Sequence, residues 1–448
     1  MQTIGTARRW LLGLAAFLAV AALVLAFSAC EEEEEAPTTP RATGTGTPRA
    51  TGTPGVAVTP SAAGPLKIGM LFDYTGSLAE FGPNMETGAQ LAVKQINAAG
   101  GVLGKPIQLI KADSGTAPQV GVEAATRLVN IDGVQAIVGS LSSGVTIQVA
   151  EGVAVPNKIL MISPASTSPA LTGVKDNDFL FRTTLSDAAQ GIVLADWAVE
   201  QGYQKVATTY TNNAYGKGLS DQFVKSFEEK GGTVTAAVSH EQEQTSYLSE
   251  LQKAVEGDPE VLVAISYPVE ATVYLREAIE NDLIKKFLFV DGTKSQDIIT
   301  AIGAEALEGT TGTSPSMPEK ASLTIQFDAD YKAEYGKDVP PLPYIRESYD
   351  AVVLIALAAE AAKSTDPSKI RDQLRKVGGP PGQTIGAGAD GVKQALQAVR
   401  AGTDIDFDGA AGLQNFDANG DLLTGAIEIF KITGGKFEVV KVVPVSLE

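Results

Sequence analysis

The chain has 448 residues, 53 of them acidic and 35 basic, for a net charge of −18 at neutral pH. That balance counts against nucleic acid or an anionic lipid surface as a partner, since both would be repelled. With 44% hydrophobic and 20% charged residues the composition is that of a soluble globular protein, and a lone cysteine, Cys30, leaves core burial rather than disulfides to hold the fold.

Arg8 and Arg9 precede a nearly unbroken run of Leu, Ala, Val and Phe from Trp10 to Phe27, closed by Ser28, Ala29 and Cys30. A positive start, an apolar stretch and small residues before a cleavage point make a secretory signal over residues 1–29. A cysteine directly after the small residues resembles a bacterial lipoprotein signal, with Phe27 where leucine is usual. The resemblance implies that the Cys30 thiol is acylated and becomes the new N-terminus. A plain transmembrane anchor is the alternative, because a stretch of about 17 residues lies near the lower limit for spanning a bilayer. Arg8-Arg9-Trp10-Leu11-Leu12 only loosely resembles a twin-arginine export signal.

Five glutamates, Glu31–Glu35, follow the cysteine, so part of the net charge lies outside the folded body. From Ala36 to Gly64 the chain is almost wholly Thr, Pro, Gly and Ala, with two arginines, two valines and a serine, including a near-repeat, Thr39–Gly46 and Thr47–Pro54. It cannot bury a core, and residues 30–64 read as a disordered tether with a reach on the order of 30 Å. The remaining stretch, about 380 residues, is long enough for two domains.

Short apolar runs then alternate with amphipathic stretches of helical period. The first series places strands at Leu66–Phe72, Ile107–Lys111, Ala136–Gly139 and Ile159–Ile162, with helices near Asn84–Asn97, Ala117–Asn130 and Val145–Val153. The second places helices at Asp187–Gln201, Gly218–Lys230, Tyr247–Val255 and Glu270–Asn281 among strands Lys205–Tyr210, Thr233–Val238, Val261–Ser266 and Phe287–Val290. Glycines after Ala99 and Lys230 supply left-handed helix ends. Strict alternation means parallel sheets covered on both faces, and two series of four or five strands predict an α/β protein of two doubly wound, Rossmann-like lobes. Beyond them come helices near Ser322–Tyr335, Ile345–Lys363 and Ser368–Val377 and a Gly/Pro-rich loop, Gly378–Gly391. Short strands then fall near Asn415–Phe416, Ala426–Ile432 and Phe437–Val443, with a turn at Asn419-Gly420.

Catalytic machinery is not legible. His240 reads as a solvated loop residue, and the single thiol is taken by acylation. Ser142 and Ser143, in Gly139-Ser-Leu-Ser-Ser-Gly144, lack the glycine spacing of a nucleophile elbow. Gly100–Pro106 lacks the Ser/Thr of a phosphate loop, and Gly386-Ala-Gly-Ala-Asp-Gly391 is discounted as a dinucleotide motif for want of a preceding strand. Asp404, Asp406 and Asp408 fail as a calcium loop, with Asn415 at the twelfth position where glutamate is required, and read as polar turns. No zinc-ligand cluster is present. The expectation is a protein that is not an enzyme, without cofactor or metal.

Polar residues at the carboxyl ends of the strands, where open α/β sheets bind ligands, are the candidates. Tyr74-Thr-Gly-Ser77, Ser140–Ser143 and Ser163–Pro169 follow strands of the first series, and Ser140–Ser143 opens a helix whose free N–H groups suit an anion. Tyr267 and Asp291-Gly292 follow strands of the second. An anion site on one lobe facing a carboxylate on the other suits a zwitterion. Taken singly, the serines are as readily helix N-caps and Asp291-Gly292 a plain turn.

At Thr75-Gly-Ser77, Gly88-Ala-Gln-Leu-Ala92, Ile96–Gly104, Ile137-Val-Gly-Ser140, Ser163-Pro-Ala-Ser-Thr167, Phe181-Arg-Thr-Thr184, Gln190-Gly191, Tyr215–Gly218 and Phe416–Asp421 the chain resembles the type I periplasmic solute-binding proteins of the branched-chain amino acid (Leu/Ile/Val) group, receptors of ABC importers. The resemblance implies a carboxylate-binding serine at Ser143, beside Ser142, and amino-group acceptors at Ala165 and Thr167. It further implies aromatic walls at Phe81, Tyr215 and Tyr267, and an acid for the ammonium at Asp291. Phe81 stands where the branched-chain binders carry tyrosine, and Asp291 is one methylene shorter than their glutamate. The resemblance also implies three crossovers between lobes, lobe 1 at 65–185 and 315–410 and lobe 2 at 186–314 and 411–448. The expected receptor is a monomer, lipid-anchored outside the cytoplasmic membrane, delivering its ligand to a permease and ATPase complex. Urea, a short amide or an aromatic acid as ligand, or a sensor role with a signalling partner, remain the alternatives.

Overall fold

The computed structural model describes residues 64–318 and 325–447; the expected secretory signal, Cys30 and the expected tether lie outside the described residues. The first series builds β1 (Lys67–Phe72), α1 (Phe81–Ala98), β2 (Gln108–Asp113), α2 (Pro118–Arg127), β3 (Ala136–Gly139), α3 (Ser143–Val149), β4 (Leu160–Ser163) and β5 (Leu180–Arg182). These strands form one parallel sheet in the order β2-β1-β3-β4-β5. β3 and β4 are buried along their whole length and carry the unbroken apolar character of strands covered on both faces. The order reverses between β1 and β3, and loops leaving their carboxyl ends diverge there, opening a crevice.

The second series continues as α4 (Asp187–Glu200), β6 (Lys205–Thr211), α5 (Ala214–Glu229), β7 (Thr233–His240), α6 (Leu248–Ala254), β8 (Val261–Ile265), α7 (Pro268–Glu280), β9 (Phe287–Phe289), α8 (Gln296–Ile302) and β10 (Thr311–Ser316). Helix starts follow local chemistry: Ser186 Oγ accepts the Ala188 N–H at 3.3 Å, and Asn213 Oδ1 accepts the Gly216 N–H at 3.0 Å. The Asn213 cap starts α5 at Ala214 rather than Gly218, which puts Tyr215 in its first turn.

After β10 come α9 (Ile325–Tyr335), α10 (Ile345–Ala362), α11 (Pro367–Gly378), β11 (Gln383–Gly386), α12 (Ala389–Ala401), β12 (Ile405–Asp408), β13 (Thr424–Thr433) and β14 (Lys436–Ser446). α10 is buried from Glu347 to Glu360 because it packs between α1, α11 and α12 and over β3 and β4. β13 and β14 return to the second sheet, whose order is β14-β13-β10-β9-β8-β6-β7.

Several expectations change. The second sheet has seven strands rather than four or five, and is mixed, because β13 and β14 add antiparallel to β10. β10 escaped notice because its Gly312, Ser314 and Pro315 break the apolar pattern of a buried strand. The Gly/Pro-rich loop contains β11, and α12 begins inside it. The Gly386–Gly391 motif therefore does follow a strand, although among the described residues that strand pairs only with β12. Its helix start is already filled: Ala389 N–H donates to Asp330 Oδ2 at 2.7 Å, a carboxylate standing where a phosphate would need to be. A Cβ on Gly391 would meet the Gly386 carbonyl at 1.9 Å, so the glycine serves strand-to-helix packing. β12 lies within Asp404–Gly409, read as turns, and Asn415–Phe416 makes only a single bridge, Phe416 to Leu422. His240 is buried, not solvated. It ends β7 with Nδ1 at 3.0 Å from Thr209 Oγ1 and Nε2 at 2.8 Å from Ser266 Oγ, and burial depresses its pKa to about 4.

Candidate functional site

Loops from the carboxyl ends of both sheets meet at one cavity. From the first come Leu78 and Phe81 after β1, Leu141 and Ser143 after β3, and Ala165 after β4; from the second come Tyr215 after β6, Tyr267 after β8, and Asp291 and Gly292 after β9. Tyr344, just before α10, completes the wall. Six of the residues singled out in the sequence, Phe81, Ser143, Ala165, Tyr215, Tyr267 and Asp291, are thus brought together.

Asp291 anchors the second side. It is 3% exposed, and Oδ1 accepts Gln190 Nε2 at 2.8 Å and the Tyr215 hydroxyl at 2.9 Å, while Oδ2 accepts the Tyr344 hydroxyl at 2.5 Å. Burial raises its pKa, and these three donors together with the Gly292 N–H pull it back. The tyrosines respond oppositely: burial and then the Asp291 charge raise Tyr215 and Tyr344 well above a normal phenol, so both remain donors. Gly292 is required here, since a Cβ would stand 2.4 Å from the Ser266 carbonyl and 2.8 Å from the Tyr215 hydroxyl.

The rings of Tyr215 and Tyr267 stack at 5.3 Å between centroids and 9° between planes. Tyr267 donates to Ser142 Oγ at 3.2 Å and accepts from Asn213 Nδ2 at 3.2 Å, so Ser142 is spent holding the ring and does not line the cavity. Ser143 opens α3, and its Oγ accepts the Ser168 N–H at 3.3 Å, which leaves a hydroxyl proton for a ligand anion. The first-turn N–H groups of α3 have no partner within the helix.

Thr167 lies behind this surface: its hydroxyl is buried without a hydrogen-bond partner among the described residues. Its carbonyl accepts the Asp187 N–H at 2.7 Å and Arg182 Nη1 at 3.0 Å. Arg182, 1% exposed, also holds the Ser168 carbonyl and pairs with Asp421 through Nε at 2.7 Å. Two family-like stretches of the sequence, around Arg182 and Asp421, therefore form one clamp that fixes the loop carrying Ala165 and Thr167.

Sequence reasoning missed three residues. Tyr344 enters from a distant segment, and no strand-end rule points to it. Gln190 lies inside α4, and Asp187 reads as an ordinary first-turn acid of that helix. Asp187 is fully buried with neither carboxylate oxygen hydrogen-bonded among the described residues. Burial, then the Asp291 charge, raise its pKa well above the usual range, with Arg182 opposing. Burial raises both acids, and Asp291 has the donors that Asp187 lacks, so the rise is the greater at Asp187.

A family model described as periplasmic binding protein matches residues 65–403. The Pseudomonas aeruginosa leucine-, isoleucine-, valine-, threonine- and alanine-binding protein is 30% identical over 72% of this chain and 85% of its own length. Among solved structures, a Thermotoga maritima leucine-binding protein, LivK, superposes with a TM-score of 0.71 at 26% identity, covering 84% of this chain and 98% of that one. The branched-chain amino acid transporter substrate-binding protein LivJ from Streptococcus pneumoniae, in complex with isoleucine, gives 0.70 at 27% identity, covering 86% and 100%.

Proposed function

The chain belongs to the periplasmic binding protein family, and on that premise we propose that it captures an apolar amino acid between two closing lobes and delivers it to the permease of an ABC importer. Its work lies outside the cytoplasm. The observation that carries the ligand reading is a buried, triply hydrogen-bonded carboxylate, Asp291, lining the same cavity as Ser143 and Ala165 under the rings of Phe81, Tyr215 and Tyr267. One charge of an α-amino acid meets Asp291, the other meets Ser143 and the start of α3, and the side chain lies on the rings. Ala165 adds an acceptor at the amino end, and Thr167, behind it, fixes the loop that carries it. The relatives' ligands, leucine, isoleucine and valine among them, have this chemistry.

The cavity measures about 20 Å³, room for one water and no amino acid. Admission of a solute therefore requires the two sides to part and close again, with residues 65–185 and 315–410 assigned to one lobe and 186–314 and 411–448 to the other. Acylation at Cys30, outside the described residues, would tether a monomeric receptor near its permease and ATPase.

Titration calorimetry with leucine, leucinamide and 4-methylpentanoate tests the reading. Only leucine, holding both charges, should bind tightly. Tight binding of urea or of the simple acid, with no response to any amino acid, would overturn it.

A further inference from the structure

A second cavity of about 240 Å³ adjoins the first, and Tyr344 is a wall of both. One side is built from the second sheet's surroundings by Lys294, Ser316 and Glu428, the other by the proline-rich rim before α10 and by Glu347. Tyr344 adopts a left-handed backbone, φ 75°, a conformation costly for a bulky residue and kept where the surroundings hold it.

The charges of this cavity are matched except one. Lys294 is ion-paired with Glu428, whose Oε2 also accepts Ser316 Oγ at 3.2 Å. Arg346 is paired with Asp328 and lies over the Phe327 ring. Glu347 is 6% exposed; its backbone carbonyl accepts Thr183 Oγ1, but no donor from another described residue reaches its carboxylate. A carboxyl this little exposed, with its own backbone N–H as donor and no cationic partner among the described residues, marks a place where a ligand supplies one. We propose that this cavity is a second solute site, taking a compact organic ammonium whose nitrogen meets Glu347 and whose carbon chain lies along Val339 and Leu342.

The lining selects that class. With Lys294 and Arg346 already neutralised, Glu347 leaves a net negative site that opposes anions. Among the described residues no group of three or more His, Cys, Asp or Glu could hold a bare metal ion. Val339, Leu342 and Met317 supply an apolar wall for the carbon chain. Burial pushes the Glu347 carboxyl up to about 7, with its own backbone N–H, Arg346 and Lys294 opposing and Glu428 adding to the shift, so an ammonium gains its full partner above that pH.

The test is calorimetric titration of n-butylammonium chloride at pH 8 into the wild type, Asp291→Ala and Glu347→Gln, with butanol and butyrate as controls. The expected result is one-to-one binding of the amine, kept in Asp291→Ala, weakened at least about tenfold in Glu347→Gln, and not reproduced by either control. Survival in Asp291→Ala separates this site from the amino-acid cleft, so either reading can fail alone. Should Glu347→Gln not fold, Leu342→Trp fills the cavity from its half-buried rim and should abolish the binding. No binding to the wild type, equal binding of butyrate or butanol, or loss in Asp291→Ala with retention in Glu347→Gln would each overturn the proposal.

Discussion

The Tyr344 hydroxyl donates to Asp291 Oδ2 at 2.5 Å, tying the loop that opens α10 over the first sheet to the turn that follows β9 of the second. It is one of three side-chain donors that oppose the rise burial imposes on the Asp291 pKa. Tyr344→Phe removes a hydrogen bond to a charged group, worth about 1.5–3 kcal/mol, and should weaken amino-acid binding by roughly ten- to a hundredfold. The sign with pH follows. Asp291 already titrates above the ordinary range because it is buried, and losing a donor raises it further. On acidification the variant should therefore lose affinity at a higher pH than the wild type. Calorimetric titrations from pH 8 to 5 would reveal this, and parallel curves would count against it.

Closure also rests on contacts away from the ligand. The Glu80 carboxylate, one residue before α1, accepts the Ser295 hydroxyl and, through Oε1 at 3.0 Å, the Gln296 N–H in the first turn of α8. This joins the two sides without lining the cavity. Glu80→Ala should weaken binding by about 1–2 kcal/mol through faster release, with ligand preference unchanged. Stopped-flow dissociation would show it; an unaltered release rate means the contact does not hold the closed form.

The alternation of strands and helices was legible because the strands from β1 to β9, β5 apart, are apolar runs or, as in β2, β6 and β7, apolar residues mixed with polar and β-branched ones, each between turn signals. β10, β11 and α12 were not, since Gly312, Pro315 and the glycines of Gly382–Gly391 speak locally for loop while pairing and packing from elsewhere override them. At the site, Ser143, Ala165, Tyr267 and Asp291 stood at strand ends and could be found by rule. Tyr344 and Gln190 could not, because they reach Asp291 only through tertiary folding. His240 misled for a related reason: a polar residue after an apolar strand usually meets water, and this one meets Thr209 and Ser266.

Two buried groups outside the cleft should make stability depend on pH in opposite senses. Burial lifts Asp73 from 3.8 to about 6, so its protonated form stabilises the fold below about pH 4 and that contribution is lost as pH climbs to 6. His240 is lowered from 6.5 to about 4, so its neutral form stabilises above 6.5 and that contribution is lost as pH falls to 4. Each shift corresponds to about 3 kcal/mol. Urea unfolding across pH 4–7 should find Asp73→Asn gaining on the wild type as pH rises, and His240→Gln falling behind it. Flat differences for both would mean that neither group titrates as its burial dictates.

Cys30 is the only thiol in the chain, so no other cysteine can stand in for it as the proposed acylation site. Cys30→Ala should abolish labelling by a fatty-acid probe in growing cells and release the receptor from the membrane fraction. Label persisting on the variant would rule out a lipid anchor at this position.

Ser143 and Asp291 stand on opposite sides of the cavity, so a zwitterion satisfies both only when the cleft is closed. In the open form each half keeps its water, and the ligand gains its full set of charge-assisted bonds only on closure; that differential affinity is what drives the hinge. Asp291→Ala leaves an ammonium buried opposite nothing and should cost about 2–5 kcal/mol, or roughly 30- to several-thousand-fold in affinity. Ser143→Ala should cost less, about 1–3 kcal/mol, because the N–H groups at the start of α3 still meet the carboxylate. Small-angle scattering should show ligand-induced compaction in the wild type and little in Asp291→Ala at the same ligand concentration. If Asp291→Ala bound and closed like the wild type, the carboxylate would not be the ammonium's partner, and the Tyr215, Tyr344 and Gln190 donors around it would serve folding rather than recognition.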